Sequence, residues 1–247
     1  MARSIDVFRL ISNRNRDGVR LSEVAQHCDL SKPTAHRLLK ELMSSGLIFL
    51  GAGHRYHLGQ FAYELGLVAS ARFHVREVCA PHLEQIARDT GDTVFLVMRS
   101  EYDSFCLDRY TGDYPIKVFS VEVGNRQPLG VGAGGLALLS YLPEVVRREA
   151  LEFNRSGLHA YNGLSSEILE PMVELTREQG YSEIANFAVP GVTGVGVPIL
   201  DRAGHPVVAI SVTTIQDRMT ADHKARVLSI LERERQKLRG TLFRATR

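Results

Sequence analysis

Apolar positions recur at helical spacing in the first part of this chain, then fall into short runs around glycines, then alternate as strands do. Ile5, Phe8, Leu10 and Ile11 form a stripe that predicts a helix over 4–13. After the break at Asp17-Gly18, the run from Leu21 to Ala25 opens a second, short helix, with Val24, Ala25 and Cys28 turned inward. Asp29-Leu30 predicts a tight turn. Ser31 stands where an N-cap belongs, with Lys32 and Pro33 in the first turn behind it. The third helix then runs to about Ser45 on Leu38, Leu39 and Leu42, and Gly46 is placed to stop it. Two helices joined by a short turn form a helix-turn-helix. Leu47–Leu50 and His54–Leu58, around Gly51-Ala52-Gly53, predict a β-hairpin that would serve as its wing.

Beyond Leu58 the pattern changes twice. Residues 60–71 are apolar at helical spacing despite Gly66 and predict a linker helix, followed by a helix over 75–90. Strands are then expected at 93–99, 105–110, 117–121, 194–200 and 207–213. Helices are expected at 136–142, 165–180 and 221–244, and 128–135 is a glycine-rich loop. Strands flanked by helices indicate an α+β domain with a mostly antiparallel sheet. The expected organisation is 1–58 for the winged helix-turn-helix, 59–73 for the linker helix and 74–247 for the second domain, a length that suits two domains.

Composition narrows the class. The chain is 44% hydrophobic and 23% charged, as in ordinary globular proteins, and no uncharged apolar run is long enough to span a bilayer. The N-terminus reads as an amphipathic helix, not a signal peptide. Three widely spaced cysteines, Cys28, Cys79 and Cys106, argue against a disulfide framework and for a cytoplasmic location. Net charge is +2, but residues 1–58 hold nine Lys or Arg against five Asp or Glu. A basic small unit joined to a mildly acidic larger one suits a polyanion partner for the first.

The third helix carries the chemistry of a reading helix. Ser31, Lys32, Thr34, His36, Arg37 and Lys40 offer hydroxyl, amine, imidazole and guanidinium donors near its N-terminus. A guanidinium bonds guanine O6 and N7 together, so Arg37 is the candidate base reader, with Lys32 and Lys40 on phosphates. Arg55 and His54 of the hairpin are placed for the backbone or the minor groove. His54 and His57 have no further ligand-type neighbours in the sequence to complete a metal site. Gly130-x-Gly132-x-x-Gly135 satisfies the dinucleotide fingerprint by letter, but no βαβ pattern surrounds it. The glycines suit close approach of backbone N–H groups to a small anion, such as a carboxylate, at a helix start. Two other function classes compete with this reading. An enzyme lacks a nucleophile elbow, zinc spacing or paired carboxylates here, so no catalytic residue and no cofactor are expected. A sensor whose helix-turn-helix packs another protein is separated from a DNA reader by salt dependence.

The run LSEVAQHCDLSKPTAHRLLKELMSSGLI, followed by HRYHLG, resembles the DNA-binding domain of IclR-type transcriptional regulators. Thr34-x-His36-Arg37-Leu38-Leu39, Leu42, Gly46-Leu47 and Tyr56-x-Leu58-Gly59 match that pattern, and the resemblance runs nearly to the C-terminus. It implies a GAF-like α/β effector-binding domain, double-stranded operator DNA and a small-molecule effector as partners, and a homodimer or homotetramer. The segments PLGVGAGGLALL, PGVTGVGVPI and AISVTT would line the effector cavity, which nominates Leu129, Gly132, Ala133, Gly134, Val192, Gly194, Val195, Ser211 and Thr213. The chain departs from the family in having Gly130 where histidine is frequent, Gly194 where cysteine is frequent, Leu136 where lysine is frequent, and Ile184-Ala185-Asn186-Phe187 where acidic residues are frequent. Each change removes a polar or bulky group, which implies a roomier, more apolar cavity for an aromatic or medium-length acid.

Overall fold

The computed structural model describes residues 2–70 and 74–245, and two compact units divide the chain at 1–74 and 75–247. The linker prediction at 71–73 lies outside the described residues. In the first unit, α1 (Ala2–Asn13), α2 (Leu21–His27) and α3 (Lys32–Ser44) precede a hairpin of β1 (Ile48–Gly51) and β2 (Arg55–Leu58), and α4 (Gln60–Ser70) follows. The core-facing residues of α1 are Val7 and Ile11, four apart, whereas Ile5 is exposed. They close over Val24, Ala25, Ala35, Leu38, Leu39, Ile48 and Tyr56. Ser31 Oγ accepts the Thr34 N–H at 3.4 Å and caps α3. Gly46, at φ +71°, ends the connection after it. Gly59 is required for a different reason: a Cβ there would lie 2.2 Å from the Gly46 carbonyl oxygen. A Val19–Tyr56 bridge adds a third short segment to the hairpin.

The second unit contains α5 (Val75–Thr90), β3 (Thr93–Ser100), β4 (Asp103–Thr111), β5 (Arg126–Pro128), α6 (Gly132–Ser140), α7 (Glu144–Leu158), α8 (Ser166–Gln179), β6 (Ser182–Ala185), β7 (Val192–Leu200), β8 (Pro206–Ile215) and α9 (Ala221–Ala245). Its strands pair in the order β5-β4-β3-β8-β7-β6, every pairing antiparallel. Period-two alternation splits the sheet into two cores. Val94, Leu96, Val195, Val197, Ile199, Val208, Ile210 and Val212 pack with residues of α5 and α9. Phe95, Val97 and Ala209 face the other way, with the buried residues of α6, α7 and α8.

Three expectations change. The strand expected at 117–121 is irregular: Val118 N–H donates to Thr93 Oγ1 at 3.2 Å and Arg109 to the Val121 carbonyl at 3.3 Å. Side chains take the backbone groups that a neighbouring strand would have taken, and β5 pairs with β4 instead. Helix α6 starts at Gly132, four residues before the expected Leu136, so the glycines form its first turn. Helix α7 and strand β6 have no counterpart among the sequence expectations. Among the described residues, no helix is long and apolar enough to cross a membrane.

Glu234 pins α9 to α5. Its carboxylate, 2% exposed, accepts from His82 Nδ1 at 2.7 Å, Arg233 Nε at 2.8 Å and Lys237 Nζ at 2.8 Å. Burial pushes this carboxyl up, but the bonds from Lys237, His82 and Arg233 outweigh it and hold it at about 2, against an ordinary 4.5. A lowered folded-state pKa stabilises the fold above the unfolded value and is lost as pH falls toward the folded one. Glu234→Gln is therefore expected to lower stability by about 3 kcal/mol near neutral pH. Urea unfolding of both proteins at stepped pH should show the gap narrowing between pH 4.5 and about 2. A gap constant across that window would contradict the assignment.

Candidate functional site

Two surfaces carry the chemistry, one in each unit. On α3, Lys32, His36 and Lys40 recur every four residues, and Arg37 lies beside them. All four are exposed and have no hydrogen-bond or ion-pair partner among the described residues. The other nominated residues are occupied. Ser31 Oγ and Thr34 Oγ1 bond each other at 2.8 Å as part of the cap. Arg55 donates to the Gly18 carbonyl at 2.9 Å and lies 3.6 Å from Glu23, so it fastens the hairpin to the α1–α2 connection. The Arg20 N–H donates to Glu23 at 2.7 Å. That bond, with Arg55 and Arg14 nearby, holds the Glu23 carboxyl below its ordinary range despite its partial desolvation. A groove beside α3 is lined by Arg20, Ser22, Lys32, Leu50, His54 and Tyr56. Sequence reasoning did not single out Arg20, because only the fold brings it beside Lys32.

The second surface is a pocket on the α6 side of the sheet, about 500 Å³ with the open solvent at its mouth counted and about 40 Å³ of enclosed space. Its floor is Phe95 and Val97 of β3, Ser211 and Thr213 of β8 and Gly194 of β7. Register places Ser211 between Phe95 and Gly196, and Thr213 between Thr93 and Gly194. The first turn of α6 forms the roof. It comes so near that a Cβ on Gly134 would lie 2.6 Å from Val97 Cγ2 and 3.4 Å from Ser211 Oγ. A Cβ on Gly196 would lie 3.0 Å from the Ala133 backbone. Ser182 Oγ donates to the Ala133 carbonyl at 2.6 Å and holds the turn in place. Asn186, at φ +68°, closes the mouth loop: its Oδ1 accepts the Gly191 N–H at 2.8 Å and its carbonyl accepts Asn162 Nδ2 at 3.1 Å. This ring presents Phe187, Ala188 and Val189 to the cavity.

Seven of the nine nominated cavity residues line it: Gly132, Ala133, Gly134, Val192, Gly194, Ser211 and Thr213. Leu129 and Val195 do not. Leu129 is buried in the core with α7 and α8, and Val195 points to the opposite face of β7, as strand alternation requires once Gly194 faces the cavity. Phe95, Val97, Ser104, Gln127, Asn186 and Phe187 were missed. Alternation along β3 would have found the first two; Ser104 and Gln127 arrive with the pairing of β4 and β5, and Asn186 and Phe187 with the mouth loop. The Gly130–Gly135 letters do not mark a dinucleotide fold, since the strand before them is a three-residue antiparallel edge.

The cavity's electrostatics are simple. None of its lining residues is Asp, Glu, Lys, Arg, His or Cys. Ser211 is 4% and Thr213 7% exposed, and neither hydroxyl has a hydrogen-bond partner among the described residues. The N–H groups of Gly132, Ala133 and Gly134 likewise meet no acceptor there. Burial pushes the Cys79 and Cys106 thiols up to about 12, which leaves them protonated and inert. Among the described residues, no three His, Cys, Asp or Glu gather to hold a metal.

Comparison with known proteins gives a consistent result. A family profile described as "Bacterial transcriptional regulator IclR C-terminal" matches residues 68–239, and one described as "IclR helix-turn-helix domain" matches 1–48. The chain is 24% identical to the HTH-type transcriptional regulator KipR of Bacillus subtilis, over 84% of this chain and 83% of that protein. A solved regulator from Alicyclobacillus acidocaldarius superposes with a TM-score of 0.78 at 25% identity, covering 97% of this chain and 96% of the other. A homologue from Microbacterium hydrocarbonoxydans, solved in complex with 4-hydroxybenzoate, superposes with a TM-score of 0.72 at 22% identity, covering 97% and 98%.

The turn that leads into the cavity roof is conformationally demanding. Gly130 has φ +99°, and a Cβ there would lie 2.6 Å from Leu169 Cδ1, whereas Gly163, at φ +74°, has open space around it. Gly130→Ala is expected to cost about 2–3 kcal/mol, from backbone strain plus overpacking. Gly163→Ala should cost about 1 kcal/mol, from strain alone. Chemical denaturation of the two variants checks the ordering, and equal losses would contradict it.

Proposed function

This chain belongs to the IclR family of bacterial transcriptional regulators, and from that premise we propose a one-component regulator whose operator binding responds to a small carboxylic acid, aromatic or of medium length. The observation that carries the effector half is the cavity: buried, lined largely by apolar groups, with hydrogen-bond donors gathered at one end and left unused. Free N–H groups at a helix start and hydroxyls beside them suit a carboxylate. Phe95, Val97, Ile184, Phe187 and Val189 suit an aromatic ring or an alkyl chain. The Microbacterium hydrocarbonoxydans homologue, solved with 4-hydroxybenzoate, is in keeping with that class.

The DNA-reading half rests on α3. Lys32, His36, Arg37 and Lys40 present free donors along one helix face, with Arg37 assigned to a base and Lys32 and Lys40 to phosphates. Ser31, Thr34 and Arg55, engaged within the unit, act through the placement of that helix and hairpin. A single reading helix covers half a site, so specificity calls for a homodimer, or a homotetramer built from dimers, on a near-palindromic operator with half-sites about 34 Å apart. Helix α4 suits the dimer contact, since Phe61, Tyr63, Leu65, Leu67 and Val68 are all exposed. The effector shifts operator affinity only to the extent that it binds one arrangement of the reading heads better than another.

Operator titration tests this reading. Arg37→Ala should cost about 1–3 kcal/mol and relax the preference at one base step, as expected for a bidentate guanine contact. Lys40→Ala should weaken binding to all sequences alike and reduce the log–log salt slope by about 0.9 per reading helix, so by about 1.8 for a dimer on its operator. Sedimentation of the saturated complex should give two chains, or four, per operator. Unaltered affinity in both variants, or one chain per site, would contradict the assignment.

A further inference from the structure

We infer that the cavity accepts a ligand bearing one negative charge and rejects the same ligand bearing two. The inference rests on the acid-binding reading above and narrows it to monoanions. It comes from a count of what the cavity can offer a charge. Six polar side chains line it: Ser104, Ser120, Gln127, Asn186, Ser211 and Thr213. Three of these already hold parts of the chain. Ser104 Oγ donates to the Gln127 carbonyl at 3.2 Å, Gln127 Nε2 donates to the Ser120 carbonyl at 3.0 Å, and Asn186 Oδ1 holds the Gly191 N–H. Ser211 and Thr213 are the two that are buried and unpartnered among the described residues.

Those two hydroxyls and the start of α6 converge. The position a Cβ would take on Gly134, in the first turn of α6, is 3.4 Å from Ser211 Oγ, and the corresponding position on Gly194 of β7 is 3.1 Å from Thr213 Oγ1 and 3.2 Å from Ala133 Cβ of that same turn. The hydroxyls therefore sit beside the free N–H groups of Gly132, Ala133 and Gly134. A helix N-terminus supplies about half a positive charge, and two hydroxyls add neutral donors. Together they match one carboxylate.

No charged group in the cavity matches a second. The rest of the wall includes Val121, Val131, Ile184, Phe187, Val189 and Val192. A second carboxylate would be stripped of water against alkyl and aryl groups, with no cation among the lining residues to replace that hydration. An amide in place of the carboxylate would fit the wall but forgo the charge-assisted bonds, which are about twice as strong as neutral ones. The order expected is monocarboxylate first, amide next and dicarboxylate last.

The test is a titration of the full chain by calorimetry, backed by thermal shift, at pH 7.5, where every acid used is fully ionised. Hexanoate and benzoate, and further aliphatic and aromatic monocarboxylates, are set against adipate and terephthalate. Monomethyl adipate and monomethyl terephthalate control for bulk, being larger than the diacids but singly charged. Hexanamide and benzamide complete the set. The expected result is that monocarboxylates and monoesters bind, the amides bind about tenfold more weakly, and each diacid binds at least about 100-fold more weakly than its own monoester. Ser211→Ala/Thr213→Val should abolish the preference for acid over amide without lowering the melting temperature of the free protein. If diacids bind as well as their monoesters, the one-charge limit is overturned while the acid-binding reading stands. If no monocarboxylate binds, or only amides do, the acid-binding reading fails and takes the limit with it.

Discussion

The first turn of α6 lies against the sheet at backbone distance, and the cavity takes its shape from that approach. Gly134 over Val97 and Ser211, and Gly196 under Ala133, leave no room for a side chain on either surface. Each glycine inside a helix costs about 1 kcal/mol against alanine, so a turn containing Gly132, Gly134 and Gly135 is unfavourable by itself. Burial of the remainder offsets that cost, since Leu136, Ala137, Leu138 and Leu139 are fully buried. The helix is thus driven down by its C-terminal residues and allowed down by its N-terminal ones. Its free N–H groups come to rest beside two buried hydroxyls, and unused donors gather there without any ionised side chain.

Charge is segregated between the two units. The first holds an excess of basic residues and leaves Lys32, His36, Arg37 and Lys40 free on one helix face, while Glu23 and Arg55 are engaged in holding that unit together. In the second unit, charged groups lie away from the cavity and fasten elements to one another. Asp92, 0% exposed, takes Arg218 at 2.7 Å and His223 at 2.6 Å, and Glu234 takes its own three donors. The arrangement suits opposite tasks. A polyanion is met by mobile surface cations in water, where attraction is long-ranged and salt-dependent. A small acid in the proposed site would be met by fixed dipoles, where salt has less reach than at an open surface.

Much of this was legible in the sequence, for local reasons. The cap at Ser31, the stop at Gly46 and the stripe of Leu38 and Leu39 are signals within one helix, and α3 ends within a residue of its expected limit. Ser211 and Thr213 came from the family resemblance, and period-two alternation puts both on one face. Val195 was nominated beside Gly194 by the resemblance, although the same alternation turns it to the opposite face. The start of α6 was missed because glycine reads as loop, and only the proximity of the sheet makes it helix. The 117–121 segment has the alternation of a strand, with Val118 inside and Phe119 outside, but Thr93 and Arg109 bind its backbone in place of a partner strand. Arg55 reads as a free cation in sequence and becomes a fastener once folding brings Gly18 and Glu23 beside it.

In the proposed regulation, acid bound at Ser211 and Thr213 changes how α3 holds DNA. The most direct measurement is operator affinity at fixed salt, with a site selected in vitro, in the presence and absence of a saturating monocarboxylate. Wild-type affinity should change by about fivefold or more, the lower range of allosteric coupling. Ser211→Ala/Thr213→Val should bind the ligand-free operator normally and lose the response. A wild-type affinity unmoved by acid that calorimetry shows to be bound, or a double variant that responds as wild type does, would contradict the account.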